Sequence, residues 1–188
     1  MKIIDLLLQK WRMSKVLKHI PVCSRLLDIG CFKGELFEFL NNHLHSGVGI
    51  DPLFNNLPRK NLSENVTLIN GYFPKDIPTG IEKFDVITIL AVFEHIPNEI
   101  SQNFISSCYS LLNSNGLVIL TVPSPIVDKI LIILSKLRLI EGMSLEEHHG
   151  LSLENITEAF YKNNFKLLKH STFQFGMNNL FIFNKEHL

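Results

Sequence analysis

Two glycines and two aspartates stand where short apolar runs give way to turns, and their types suit the binding of a small polar ligand. Asp28-Ile29-Gly30-Cys31-Phe32-Lys33-Gly34 follows the apolar pair Leu26-Leu27. Gly30 and Gly34 let the backbone turn sharply and approach a ligand with no Cβ in the way. Asp28 can hydrogen-bond an ordered water or the amino group of a bound amino acid. Asp51 closes the next apolar run, where a short carboxylate can accept both hydroxyls of a ribose. Taken singly, the glycine turn is a tight loop and Asp51-Pro52 a strand-ending turn. In one strand–helix–strand setting they converge on a nucleoside site. A dinucleotide-binding turn would read Gly-x-Gly-x-x-Gly. Here the run is Gly30-Cys31-Phe32-Lys33-Gly34, with no second glycine to clear space for a pyrophosphate. That disfavours a nicotinamide-dependent oxidoreductase.

Three histidines are candidates for moving a proton. His95 follows the fourth strand run, and His148 and His149 lie in Glu146-Glu147-His148-His149-Gly150, ahead of a helix start at Ser152. Any of them could serve as a general base towards a hydroxyl acceptor. The plainer alternatives are a structural loop residue for His95 and a solvated polar loop for the pair. Glu146, Glu147 and the two histidines show no distinctive ligand spacing, so no metal is expected. Cys31 reads as a small packing residue.

These residues need elements to position them, and the chain alternates strand and helix patterns. Residues 24–29, 47–51, 66–70, 84–91 and 117–122 are short apolar runs, and 84–91 is rich in β-branched side chains. Residues 32–44 and 98–112 carry apolar positions at helical spacing. The second of these is closed by Asn113-Ser114-Asn115-Gly116, a helix-ending sequence. Such alternation predicts right-handed crossovers and a mostly parallel sheet covered on both faces. After a helix over 152–163, residues 165–175 and 178–184 predict two strands joined through Gly176-Met177. The expected fold is therefore a Rossmann-like α/β three-layer sandwich, with a seven-stranded, mostly parallel sheet and an antiparallel C-terminal hairpin.

Composition narrows the class further. The 188 residues are 46% hydrophobic and 19% charged, a globular composition long enough for one buried core. Eighteen basic residues balance eighteen acidic ones, which argues against a general nucleic-acid partner. Three irregularly spaced cysteines form neither a disulfide framework nor a zinc pattern, so a cytoplasmic location is expected. The N-terminus does not read as a secretion signal, and residues 126–140 are too short and too charged to span a bilayer.

Four segments carry a family resemblance. Residues 26–34 (LLDIGCFKG) resemble the first motif of the class I S-adenosylmethionine-dependent methyltransferases, and residues 47–52 (GVGIDP) resemble their second-strand motif. Phe84-Asp85-Val86-Ile87 through Glu94-His95-Ile96-Pro97 is similar to the fourth-strand motif. Residues 111–119 are similar to the segment leading through a glycine into the fifth strand. The resemblance runs from Leu26 to Val122, with the motifs in order. It implies S-adenosyl-L-methionine as cofactor. Gly30, Cys31 and Gly34 would line the methionine end and Asp51 the ribose, with Phe32 and Pro52 also among the cofactor-binding residues. Gly71, Tyr72 and Phe73 would flank the adenine, and Ala91, Val92 and Phe93 would close the pocket. Many relatives carry an acidic residue just after the third strand; here Gly71-Tyr72-Phe73-Pro74 stands there, with Asp76 a few residues on. The histidine segment resembles one in quinone-type small-molecule methyltransferases, with Leu151 in place of the usual aromatic.

Two segments lie outside this core. Residues 1–22 form an amphipathic basic stretch, expected to be a lid or packing helix in preference to a membrane-surface helix. By the resemblance, residues 23–188 are expected to form the methyltransferase domain, with a helical insertion at about 124–150 whose apolar side could wall an acceptor site. The expected activity is methyl transfer to a small-molecule acceptor at oxygen, with a lipophilic substrate in view. A non-catalytic cofactor-binding or partner-binding domain of the same fold is the alternative. The sequence names no oligomeric state.

Overall fold

The computed structural model describes residues 3–54, 62–124 and 153–186. Each aliphatic run becomes a strand: β1 (Arg25–Ile29), β2 (Ser46–Asp51), β3 (Val66–Asn70), β4 (Phe84–Leu90) and β5 (Leu112–Pro123). The C-terminal pair follows as β6 (Phe165–Phe173) and β7 (Asn178–Lys185). They form one seven-stranded sheet in the order β3-β2-β1-β4-β5-β7-β6. β1 to β5 pair in parallel, while β7 runs antiparallel to both β5 and β6. The expected seven-stranded, Rossmann-like sheet with an antiparallel ending is what the chain forms. Among the described residues the helices are α1 (Ile3–Leu17), α2 (Glu35–Leu40), α3 (Asn98–Leu111) and α4 (Leu153–Tyr161).

The period-two alternation of buried strands sorts their side chains onto two faces. Leu27, Ile29, Ile87, Ile89, Val118 and Leu120 share one apolar cluster with Phe104 and Ile105 of α3 and Ile156 and Phe160 of α4. Leu26, Val86, Ile119 and Ile182 share the other with Met13 and Val16 of α1 and Leu36 and Phe37 of α2. The chain thus makes three layers. Strand order reverses between β1 and β4, so the crevice for a ligand opens at the carboxyl ends of those strands.

Several boundaries differ from the sequence expectation: β6 ends at Phe173 against an expected 165–175, α4 ends at Tyr161 against an expected 152–163, and two other stretches change more. The helix expected over 32–44 shrinks to α2, because Phe32 (φ 47°), Gly34 (φ 80°) and Asn41 (φ 46°) adopt left-handed backbone. A short 3₁₀ turn, Asn41–His43, completes the stretch. Residues 113–116, expected as a loop, belong to β5: Leu112 already pairs with Phe84, and the ladder resumes at Leu117 opposite Val86 after a bulge. The insertion expected at about 124–150 lies outside the described residues apart from Ser124.

Candidate functional site

Alternation along β1 decides where its aspartate goes. Leu27 and Ile29 face the α3–α4 layer, so Asp28 faces the α1–α2 layer with Leu26. It sits opposite Thr88 of β4, whose hydroxyl donates to Asp28 Oδ1 at 2.7 Å. Burial pushes the Asp28 carboxyl up to about 7; the Thr88 bond opposes this, and the charges of Glu35 and Asp51 add to it.

The chain then turns through Gly30 at φ 79° and reaches α2 through Gly34 at φ 80°. A Cβ at Gly30 would lie 2.2 Å from Val92 Cγ2, so the backbone passes the post-β4 loop at a distance only glycine allows. Asp51, buried at the end of β2, ties two loops together. Its Oδ2 accepts the Phe32 N–H at 2.9 Å and its Oδ1 accepts the Leu53 N–H at 2.7 Å. A carboxylate offers about four acceptor positions, so this leaves about two. Its backbone carbonyl also accepts the Gly71 N–H at 3.3 Å, which brings the loop after β3 alongside. There Asp76 Oδ2 accepts the Tyr72 N–H at 2.8 Å, and Gly71 packs on Asp76 so closely that a Cβ would clash. Tyr72, Leu53 and Phe32 present exposed apolar surface around this corner.

The residues after β4 divide. Ala91, in left-handed backbone at φ 58°, donates its N–H to the Thr121 carbonyl at 2.9 Å. Val92 closes against Gly30. Phe93 has no exposed surface and packs in the core with Phe104 and Phe160, at ring separations of 5.9 and 5.8 Å. Glu94 is buried with Oε2 lacking a hydrogen-bond partner, while His95 is exposed. Burial pushes Glu94 up to about 7; its own backbone hydrogen bond and the Arg12 charge oppose the rise. Cys31 is buried, and burial raises its thiol pKa, so it is no thiolate nucleophile at neutral pH. His148 and His149 lie outside the described residues.

A pocket opens beside the turn, lined by Asp28, Gly30, Cys31 and Phe32 together with Glu35, and roofed by Gln9, Arg12 and Met13 of α1. The structure therefore brings Asp28, Gly30, Cys31 and Phe32 to one cavity, with Asp51 bonded to the Phe32 N–H, while Phe93 stays in the core. Arg12 is the residue that sequence reasoning missed. It read as one charge among the lysines of an amphipathic helix, yet its guanidinium is largely buried, with Nε unpartnered. The signal available was its place: it falls between Met13 and Val16 on the packed side and Gln9 at the pocket.

A family model described as a methyltransferase domain matches residues 4–170. This chain belongs to the methyltransferase-domain family. It shares the class I S-adenosylmethionine-dependent fold with solved methyltransferases. One is the N-methyltransferase NodS from Bradyrhizobium japonicum WM9, at TM-score 0.66 and 16% identity, covering 95% of this chain and 97% of that one. Another is magnesium protoporphyrin IX methyltransferase from Synechocystis PCC 6803 with bound SAH, at TM-score 0.66 and 18% identity, covering 95% and 84%. A ubiquinone biosynthesis O-methyltransferase of Actinobacillus pleuropneumoniae serotype 5b is 33% identical over 106 residues, 50% of this chain and 44% of that protein. The match thus spans less than half the length of that relative.

The residues of this domain fit S-adenosylmethionine in chemistry. The amino-acid end of that molecule carries an ammonium and a carboxylate, and the pocket offers Asp28 and Glu35 carboxylates and the unpartnered Arg12 Nε. Its ribose carries two neighbouring hydroxyls, and Asp51 keeps acceptor capacity beside the glycine turn.

Proposed function

We propose that this domain transfers a methyl group from S-adenosylmethionine to oxygen on a small, lipophilic acceptor. The observation that carries the reading is the Asp51 carboxylate, which joins the turn after β1 to the loop after β2 and leaves lone pairs for a ribose. Bound S-adenosylmethionine supplies an electrophilic methyl on a sulfonium. The protein's share is to align the acceptor in line with that carbon and to exclude water. Asp28 receives the ammonium, Arg12 the carboxylate and Asp51 the ribose hydroxyls. Gly71, Tyr72 and Phe73 would flank the adenine. The resemblance to an O-methyltransferase over half the chain supports an oxygen acceptor.

A hydroxyl acceptor must give up its proton, and the step after β4 is where we place its acceptor. Glu94 there is buried and held near neutrality, the range a general base needs, and His95 is its neighbour. His148 and His149 remain candidates from the segment that precedes α4.

Calorimetric titration with S-adenosylhomocysteine and with NAD tests the reading. Binding of the former and not the latter is expected. Asp51→Ala should weaken S-adenosylhomocysteine binding by about 1.5–3 kcal/mol, the range for hydrogen bonds to charged groups. No measurable binding of S-adenosylhomocysteine would overturn the methyltransferase reading, and an unchanged affinity in the variant would move the ribose elsewhere.

A further inference from the structure

The β6–β7 turn holds a phenyl ring in water. Phe175 is 91% exposed, and it and Gln174 are successive non-glycine residues in left-handed backbone, at φ 58° and 53°. A bulky residue in that region is uncommon and persists only where its surroundings hold it. The surroundings are the side chain of Gln174, itself 2% exposed. Its Nε2 donates to the Leu8 carbonyl of α1 at 2.7 Å, and its Oε1 accepts from Asn178 Nδ2 at 2.6 Å. The turn is thereby fastened to the N-terminal helix, and Phe175 meets Trp11 edge-on at 5.6 Å.

Helical spacing extends the patch. Leu7 lies one turn before Trp11 and is 61% exposed, and Leu6 beside it is 40% exposed. Leu6, Leu7 and Phe175 thus present exposed apolar surface, joined by the half-buried Trp11, while Met13 and Val16 of the same helix are buried. Single exposed apolar residues need no explanation, but a contiguous group does. Its frame is basic. Lys10 and Lys18 are exposed and Lys15 is half-buried, and residues 6–18 contain no carboxylate although the chain as a whole is neutral. Lys169 of β6 lies near enough to add, with Lys18, to the burial that lowers the His19 pKa.

We infer that the outward face of α1 and the Phe175 turn form a docking surface for an anionic lipid bilayer. Aromatic and leucine side chains enter the interface while the lysines meet acidic headgroups. The contact proposed is peripheral, with the helix lying in the interface; no helix among the described residues is long and apolar enough to cross a membrane. A second copy of this chain is the poorer occupant, because a self-complementary contact here would set like charges together. Gln9, Arg12 and Met13 of this helix roof the cofactor pocket. The docked face therefore lies on the element that borders the site, where a lipophilic acceptor would leave the bilayer. That last link rests on the proposed function; the docking itself does not.

Co-sedimentation with vesicles decides it, using phosphatidylcholine alone and an equimolar mixture with phosphatidylglycerol. The protein should pellet with the mixed vesicles at low salt, release as salt rises, and pellet weakly with phosphatidylcholine. The double variant Leu7→Ser/Phe175→Ser should lose on the order of tenfold or more in partitioning, from two exposed apolar side chains. Lys10→Glu/Lys18→Glu, which alters only exposed positions, should lose the preference for the acidic lipid. Both variants should bind S-adenosylhomocysteine as the parent does, which shows them folded. No pelleting of the parent with mixed vesicles at low salt would overturn the proposal, as would equal pelleting by the apolar variant. A parent dimer that the apolar variant dissociates, with no vesicle binding, would assign the patch to a second copy. Failure of the parent to bind S-adenosylhomocysteine would count against the methyltransferase reading alone, leaving the vesicle result to stand.

Discussion

Asp28 owes its raised pKa to the parity of its position on β1. Facing the α1–α2 layer, it is buried and its carboxyl rises from 3.8 to about 7, and Glu94 rises from 4.5 to about 7 for the same reason. Both folded values lie above the unfolded ones, so the fold favours the protonated forms. That contribution is complete below the unfolded pKa and is lost as pH rises through the folded one. Without ligand, stability should therefore fall between about pH 4 and about pH 7, as urea unfolding at a series of pH values would show. A ligand ammonium beside Asp28 reverses its preference. S-adenosylhomocysteine should then bind more tightly as pH rises over this range, releasing a proton that calorimetry in buffers of different ionisation enthalpy detects. Asp28→Asn should remove that share. An affinity flat from about pH 5 to about 8 would place the amino group away from Asp28.

At the scale of elements, the opposite end of the sheet is held by one carboxylate. Asp85 Oδ2 accepts the Arg25 N–H at 2.9 Å and its Oδ1 accepts from Asn113 Nδ2 at 2.8 Å, which joins the starts of β1 and β4 to the lead-in of β5. Arg25 in turn donates to Ser46 Oγ of β2 at 3.0 Å and lies over the Phe84 ring. Asp85→Ala should cost about 1–3 kcal/mol in urea unfolding, since it strands partly buried donors. It should leave S-adenosylhomocysteine affinity unchanged, because the site lies at the carboxyl ends. A loss of affinity matching the loss of stability would mean that the two ends are coupled. Asn113 also shows why residues 113–116 read as a helix-ending turn in sequence but belong to β5. Polar turn formers signal a loop locally, and only the pairing of Leu112 with Phe84 places them within a bulged strand.

Across the whole molecule, the aromatic cluster under the sheet connects the C-terminal elements to the site. Phe160 of α4 stacks on Phe183 of β7 at 4.2 Å, lies 5.4 Å from Phe165, and contacts Phe93, which directly precedes Glu94. Phe160→Ala should destabilise the protein by about 3–5 kcal/mol through the lost burial and the cavity. Because Phe93 anchors the post-β4 loop against this cluster, S-adenosylhomocysteine affinity should fall as well. Unfolding curves and titrations on the same variant separate the two effects, and an intact affinity would show that Gly30 and Thr121 hold the loop without Phe93.

The sequence by itself determined the strand runs, the glycine turn, the place of Asp51 and the order of the family motifs. These depend on backbone geometry and side-chain alternation over a few residues, which neighbours in sequence settle. Tertiary structure decided which side chains turn inward after β4, where Phe93 and Glu94 are buried and His95 is exposed. It also decided that β7 inserts between β5 and β6, and that Arg12 roofs the pocket. Those outcomes come from contacts between distant parts of the chain, such as Gln174 with Leu8 and Phe93 with Phe160. Such contacts bury or expose a residue according to partners that no local pattern names.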